Sequence, residues 1–485
     1  MNKELRRVST VVLVMFLSLF LSTTLIQVVS ADQLKADDRN ARTLYASYAT
    51  ERGPILVDGQ PIAYSTPVDD EFRFLRVYPN ADVYAAVTGY LTLFRSSAGI
   101  EATENEFLAG NSNNQFLDQV NAILTGQSPK GASVELTIDP VVQQAAWDAL
   151  GDYEGAVIAI RPKTGEILAM VSKPSYDPNT LSQHASGAVI EDVYRQLLEN
   201  PGDPLINRTL QGDLDPPGST FKLVVAAAAL ESGRYTAEST FPNPATLQLP
   251  QSDFVISNAD EATCGAGAEA SLTTAIQLSC NIPFAELGQQ LGYRAIFEQA
   301  QKFGFNQSID VPMSSQPSVY PRVLDEPQTM LSAFGQSEVR ASPLQMAMVS
   351  MAIGNGGTLM RPNLIESIVS ADLNVIERFE PSEFGRPISS QTADAITGMM
   401  VASVQNGAAS NARIDGVTVA GKTGTAENGP GEPYSLWFTG FAPADDPEVA
   451  VAVVVQNGGG LGQNGTSSGI SAPIGRQVLE AVLSR

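Results

Sequence analysis

The stretch Gly416-Val417-Thr418-Val419-Ala420-Gly421-Lys422-Thr423-Gly424-Thr425-Ala426-Glu427-Asn428-Gly429-Pro430 admits two readings, and the choice between them decides the fold. Its first eight residues fit G-x-x-x-x-G-K-[ST], the pattern of a loop that cradles nucleotide phosphates ahead of a helix N-terminus. After Lys422-Thr423, however, the chain continues in glycine, proline and polar turn chemistry, a poor helix start. Residues 417–420 alternate and carry β-branched side chains, which is the texture of a strand. The stretch therefore reads as a strand. On it Lys422 is a fixed cation, able to hold a carboxylate and to depress the pKa of a neighbouring lysine. Gly424 lets a ligand approach the backbone, and an edge strand can pair with an extended peptide.

The chain's other end supports the same choice. Lys3, Arg6 and Arg7 precede an apolar run from Thr10 to Ala31, which at about 20 residues is long enough to span a hydrocarbon core. Positive charge on the near side predicts that everything after about residue 31 lies outside the cytoplasm. Val29-Ser30-Ala31 also fits a signal-peptide cleavage site, but the run is longer than an ordinary signal core and reads as an uncleaved anchor. Either way the chain is exported, away from cytoplasmic nucleotides.

Composition narrows the chemistry further. With 485 residues, 43 % hydrophobic and 17 % charged, the chain is globular and long enough for two or three domains. Acidic residues outnumber basic ones 52 to 29, and a formal charge of -23 argues against nucleic acid as a partner. One histidine, His184, rules out a His-rich zinc site or an H-E-x-x-H helix. It sits in a polar stretch and reads as a surface or loop residue.

Along the chain, residues 32 to about 150 form an α+β module of short strands, with Arg52-Gly53 read as a turn. Two strand runs, 155–161 and 166–172, flank the turn Pro162-Lys163-Thr164-Gly165 and predict a hairpin. From 219 to about 357 the chain reads as mostly helical. Strands come next at roughly 416–422, 435–441 and 448–456, then a Gly-rich loop and a terminal amphipathic helix. Strands at both ends with helices between predict one sheet assembled from distant segments, with a helix layer on at least one face.

Two further segments carry chemistry. In Pro216-Pro217-Gly218-Ser219-Thr220-Phe221-Lys222, a helix start places Ser219 and Lys222 one turn apart on the same face. A serine nucleophile without histidine needs another base. Lysine serves if desolvation and a second positive charge keep it neutral, and the apolar run Leu223 to Ala229 supplies the desolvation. In Ser279-Cys280-Asn281, a turn between two helical segments, a hydroxyl and an amide two residues apart can pass a proton and orient a carbonyl.

Taken in order, S-x-x-K, S-x-N and K-T-G resemble the penicillin-binding protein and serine β-lactamase superfamily. The likeness covers about residues 150 to 485. "RGPIL" at 52–56 and "GIEATENEFLAG" at 99–110 extend it to the N-terminal module of class B penicillin-binding proteins. The resemblance implies an α+β fold, an antiparallel sheet with helices on both faces plus an all-helical subdomain. An elongated α+β module and one transmembrane helix precede it, so the chain divides at 1–31, 32–150 and 151–485. It implies a membrane-bound D,D-transpeptidase, targeted by β-lactams, that uses no cofactor and no metal and cross-links peptidoglycan stem peptides. Ser219 would be the nucleophile, Lys222 its base, Ser279 the proton relay and Asn281 a holder of the donor peptide. Lys422 and Thr423 would face the terminal carboxylate, beside Gly424 and Thr425, with amides of Ser219 and Thr425 as the oxyanion hole. A membrane glycosyltransferase of the shape-elongation-division-sporulation family and other division proteins are the implied partners. A class D-like β-lactamase and a non-catalytic division scaffold are the rival readings. Against the first stand Asn281 and the N-terminal module; against the second stand three intact motifs. Cys264 and Cys280 depart from the usual bacterial pattern. Outside the cytoplasm they form either a disulfide or two buried thiols.

Overall fold

In the structure, a computed structural model, residues 2–26, 30, 50–112, 130–212, 214–258 and 262–484 are described. Val29 and Ala31 of the candidate cleavage site and the boundary at residues 31 and 32 lie outside them. The first helix, Asn2–Thr24, is by length and composition able to cross a membrane.

The central sheet runs, in spatial order, Ala420–Ala426, Ser435–Ala442, Val449–Val455, Gly155–Ile160 and Ile167–Lys173, antiparallel throughout. Val449–Val455 is apolar at every position and buried at every position, as a strand covered on both faces must be. One face packs on Pro140–Leu150 and the terminal helix Ser471–Leu483. The other packs on Pro343–Gly354, whose side chains are apolar nearly all round and buried to match. Beyond it lies a helical layer in which Lys222–Glu231 packs against Ile282–Leu291, Tyr293–Lys302 and Ser390–Asn406. The 155–172 hairpin forms as expected. The strand expected at 416–422 starts four residues later, because Gly416 takes a left-handed φ of 77° and Ile414 bridges back to Val417 in a turn.

The stretch expected to be mostly helical is interrupted. Short strands occur at Thr240–Pro242, Thr246–Gln248, Val255–Ser257 and Glu269–Ser271. Pro242, Pro244 and Pro250 deny a helix its amide donors, while Thr and Val favour extended backbone.

A second sheet, six-stranded, contains Ile55–Val57, Gln60–Pro67, Phe74–Val77 and Ser133–Leu136. Its remaining strands, Ile365–Val369 and Val375–Arg378, come from more than two hundred residues later, and the first of them pairs onto Ser133–Leu136. Arg52 is not a turn residue. It is 3 % exposed, and its guanidinium donates to Glu101 at 2.6 Å and to Asn105 at 2.8 Å; Arg76 reaches the same carboxylate at 2.6 Å. His184 lies in a loop, but its side chain is only 9 % exposed and meets Asp70 at 2.6 Å. Burial alone would raise the Asp70 carboxyl; the His184 contact and backbone amides outweigh it and hold it below its usual value.

Candidate active site

Ser219 sits in the 3-10 turn Gly218–Phe221, which passes directly into the helix Lys222–Glu231. The turn is clamped from several sides. The Gly218 amide donates to Gly335 O at 3.0 Å, and Trp437 Nε1 donates to Pro216 O at 2.9 Å. The Asp215 carboxylate accepts from Ser435 and, at 2.9 Å, from Gln456; burial raises its pKa. Gly335 has φ +79°, and a Cβ there would lie 1.9 Å from Gly218 O. Gly424 makes a similar allowance: a Cβ would fall 2.8 Å from Pro217 O and 2.9 Å from the Thr220 amide. The close approach that Gly424 permits is thus made by the turn that carries Ser219.

The two lysines converge on Ser279-Cys280-Asn281. Both are fully buried. Lys222 Nζ donates to Ser279 O at 2.7 Å and to Asn281 Oδ1 at 2.9 Å. Lys422 Nζ donates to Ser279 Oγ at 2.7 Å and to Thr423 O at 2.7 Å. Ser279 serves both because it adopts φ 65°, a left-handed conformation uncommon for a residue with a side chain and typical of functional turns. Burial, then repulsion from Lys422, drives the Lys222 ammonium well below its usual pKa. Burial alone brings Lys422 down to about 7. Lys422 is therefore not a fixed cation in the free cleft: near neutral pH it is poised between its two states.

Residues from the interrupted stretch complete this turn. Asn258 Oδ1 accepts from the amides of Asn281, at 2.9 Å, and Ile282, at 3.0 Å, so it caps the helix Ile282–Leu291 from a separate segment. Ser257 O accepts from Asn281 Nδ2 at 3.0 Å, which fixes the amide with its oxygen towards Lys222. A disulfide joins Cys264 to Cys280 across 16 positions and ties the same segments covalently. Nothing local in the sequence marks Ser257 or Asn258, because their partners lie more than twenty residues away.

On the sheet's edge strand, Lys422 and Thr423 face opposite ways, as strand geometry requires. Thr423 is 5 % exposed and its hydroxyl donates to Ala408 O at 3.4 Å, whereas Thr425 is the exposed residue of the strand. The hydroxyl open to an incoming ligand is thus that of Thr425. Its Oγ1 lies 2.6 Å from Ser467 Oγ.

This arrangement brings together a serine hydroxyl, a lysine whose pKa burial lowers, a second serine hydroxyl and an edge strand able to receive an extended chain. Residues 155–480 match the family described as the penicillin binding protein transpeptidase domain, and residues 52–134 the penicillin binding protein A dimerisation domain. The peptidoglycan D,D-transpeptidase PbpA of Mycolicibacterium smegmatis is 42 % identical over 492 residues, covering 100 % of this chain and 99 % of that protein. Among solved structures, the ceftriaxone acyl-enzyme complex of penicillin-binding protein A from M. tuberculosis superposes with a TM-score of 0.87 at 39 % identity. It covers 90 % of this chain and 100 % of its own. The penicillin G acyl-enzyme complex of the same protein gives a TM-score of 0.85 at 39 % identity, with the same two coverages.

Proposed function

The chain belongs to the penicillin-binding protein transpeptidases, and from that premise we propose how its own residues carry out peptidoglycan D,D-transpeptidation. The observation that carries the proposal is the pair of hydrogen bonds made by Lys222. A neutral amine has two N–H bonds and one lone pair. Donation to Ser279 O and Asn281 Oδ1 uses both N–H bonds, so the lone pair is left for the hydroxyl of Ser219, one turn earlier. Lys222 takes the Ser219 proton as Oγ attacks the penultimate D-alanine carbonyl of a stem peptide. The amides of Ser219 and Thr425 receive the developing oxyanion, a contribution of about 3 kcal/mol per donor in acyl transfer.

Collapse of the tetrahedral intermediate breaks the peptide bond. Lys422 donates to Ser279 Oγ, so the serine's own proton points elsewhere, towards the leaving D-alanine nitrogen; Lys222 replaces it with the proton taken from Ser219. An amine of a second stem peptide then attacks the acyl-enzyme with the proton path reversed. Binding the terminal carboxylate raises the pKa of Lys422 and fixes its charge, so the cation forms as substrate arrives. Asn281 acts mainly by orienting Lys222, since both ends of its amide are engaged.

We assign residues 1–31 to a cytoplasmic stub and membrane anchor, 32–150 to the N-terminal module and 151–485 to the transpeptidase domain, which lies outside the cytoplasm. Pro140–Leu150 packs beneath the catalytic sheet and joins the two. A membrane glycosyltransferase of the shape-elongation-division-sporulation family and other division proteins are the proposed partners.

The test is intact-protein mass spectrometry after exposure to benzylpenicillin, tracked over hours beside Ser219→Ala. A stable adduct in the unaltered protein alone is expected. Turnover of the drug would reassign the site to a β-lactamase, and absence of any adduct would leave a scaffold.

A further inference from the structure

Ser467 lies in Thr466-Ser467-Ser468-Gly469, ahead of the terminal helix Ser471–Leu483, and its carbonyl accepts from the Ala472 amide at 2.9 Å. The residue is 3 % exposed. Its hydroxyl has two close neighbours, Gly424 O at 2.6 Å and Thr425 Oγ1 at 2.6 Å. A carbonyl oxygen only accepts, so the single Ser467 proton must lie towards Gly424. The contact with Thr425 then has one possible direction: Thr425 donates and Ser467 accepts. The proton of the exposed Thr425 hydroxyl is thereby drawn into the protein, and its lone pairs face the cleft.

We propose that Ser467 is a positioning residue that sets the specificity of the acyl-donor subsite by holding the Thr425 hydroxyl as an acceptor in the resting enzyme. This rests on the proposed function, in which the donor's terminal carboxylate meets this strand. A carboxylate offers only acceptors, so it engages Thr425 only after the hydroxyl turns away from Ser467. A terminal carboxamide has N–H donors for the lone pairs already presented and needs no such turn. Ser467 therefore narrows the advantage of carboxylate over carboxamide, while the charge of Lys422 widens it.

The experiment uses the full chain in detergent and two thioester acyl donors, identical except that the leaving group ends in a carboxylate or in a carboxamide. In Ser467→Ala, the ratio of acylation efficiencies, carboxylate over carboxamide, rises about three- to ten-fold, the range of one modest hydrogen bond. The change lies in half-saturation rather than in limiting rate. Ser467→Thr retains the hydroxyl and keeps the original ratio. An unchanged or lower ratio in Ser467→Ala, with melting temperature preserved, overturns the proposal. If that variant does not fold, Ser467→Cys, a far weaker acceptor of similar size, serves with the same two outcomes. Thr425→Ala separates the two layers. Should it leave the ratio untouched, the carboxylate reading of Thr425 fails and the proposal falls with it; should it lower the ratio while Ser467→Ala does not raise it, only the proposal fails.

Discussion

The N-terminal module encloses Arg52 and Arg76 with the carboxylate of Glu101 between them, whereas the cleft encloses Lys222 and Lys422 without an ion pair among the described residues. Both pairs are nearly or wholly removed from solvent. In the module, burial by itself would raise the Glu101 carboxyl, but Arg76 and Arg52 outweigh it and hold it below its usual range. The two ion pairs join three chain segments, those of Arg52, Arg76 and Glu101. In the cleft no carboxylate among the described residues pairs with either lysine, so the cost of burial lowers the pKa of both ammonium groups. Ion pairing here keeps a buried carboxyl below its usual pKa, whereas unpaired burial lowers the lysines' pKa values.

The sharpest way to break this comparison is to give the cleft a cation that cannot lose its proton. Lys222→Arg places a permanent charge where the proposed base works as a neutral amine; acylation by benzylpenicillin falls by at least about 10³-fold, read by stopped-flow or by adduct formation. Retention of near-normal acylation would mean that another group activates Ser219.

Removing the compensation should hurt the module instead. Glu101→Gln leaves two buried guanidiniums facing a neutral amide, and stability drops by about 3–5 kcal/mol in denaturant titration. The pH dependence carries a matching sign. The lowered Glu101 pKa contributes stability that is present above the unfolded-state value and is lost as pH falls through the folded one. The lysines give a slope of the same sign but as relief of a cost: with folded pKa values below 10.5, the unfolded chain binds more protons, so stability again rises with pH, for Lys422 between about 7 and 10.5.

The smallest effect refines the contrast. Lys422→Met removes an uncompensated buried amine, so the variant is more stable by about 0.5–2 kcal/mol at neutral pH while losing recognition of carboxylate donors. It also removes the repulsion on Lys222, and the acidic limb of the acylation profile moves to higher pH, because the base regains affinity for its proton. A destabilised variant, or an unmoved limb, would show that the two ammonium groups do not sense each other.

Much of this was legible from residue order. The apolar, β-branched runs at 155–172 and 435–455 marked their strands because a strand buried on both faces must be apolar at successive positions. Ser219 and Lys222 were linked by local spacing, and the Ala-rich run after them announced a buried helix. The expectation of a lysine base rests on the chain's single histidine and on S-x-x-K spacing. Local pattern misled where the decisive partner was remote. Arg52-Gly53 has the composition of a turn, yet Arg52 is committed to Glu101, 49 positions away. Thr423 and Thr425 look equivalent in sequence, and only the packing of the edge strand buries one and exposes the other.

By itself, then, the sequence determined which functional groups the chain carries, on which kinds of element, and that its first helix is long and apolar enough to cross a membrane, since periodicity, turn chemistry and the apolar N-terminus are local properties. Tertiary structure alone decided that Lys222 meets Asn281, that Lys422 meets Ser279 across 143 positions, and that Thr425 meets Ser467. Those pairings, and the lack of a counter-ion that sets the lysines' pKa values, depend on how distant segments close over one another. Burial and electrostatic environment are properties of that closure, so they are fixed only once the fold exists.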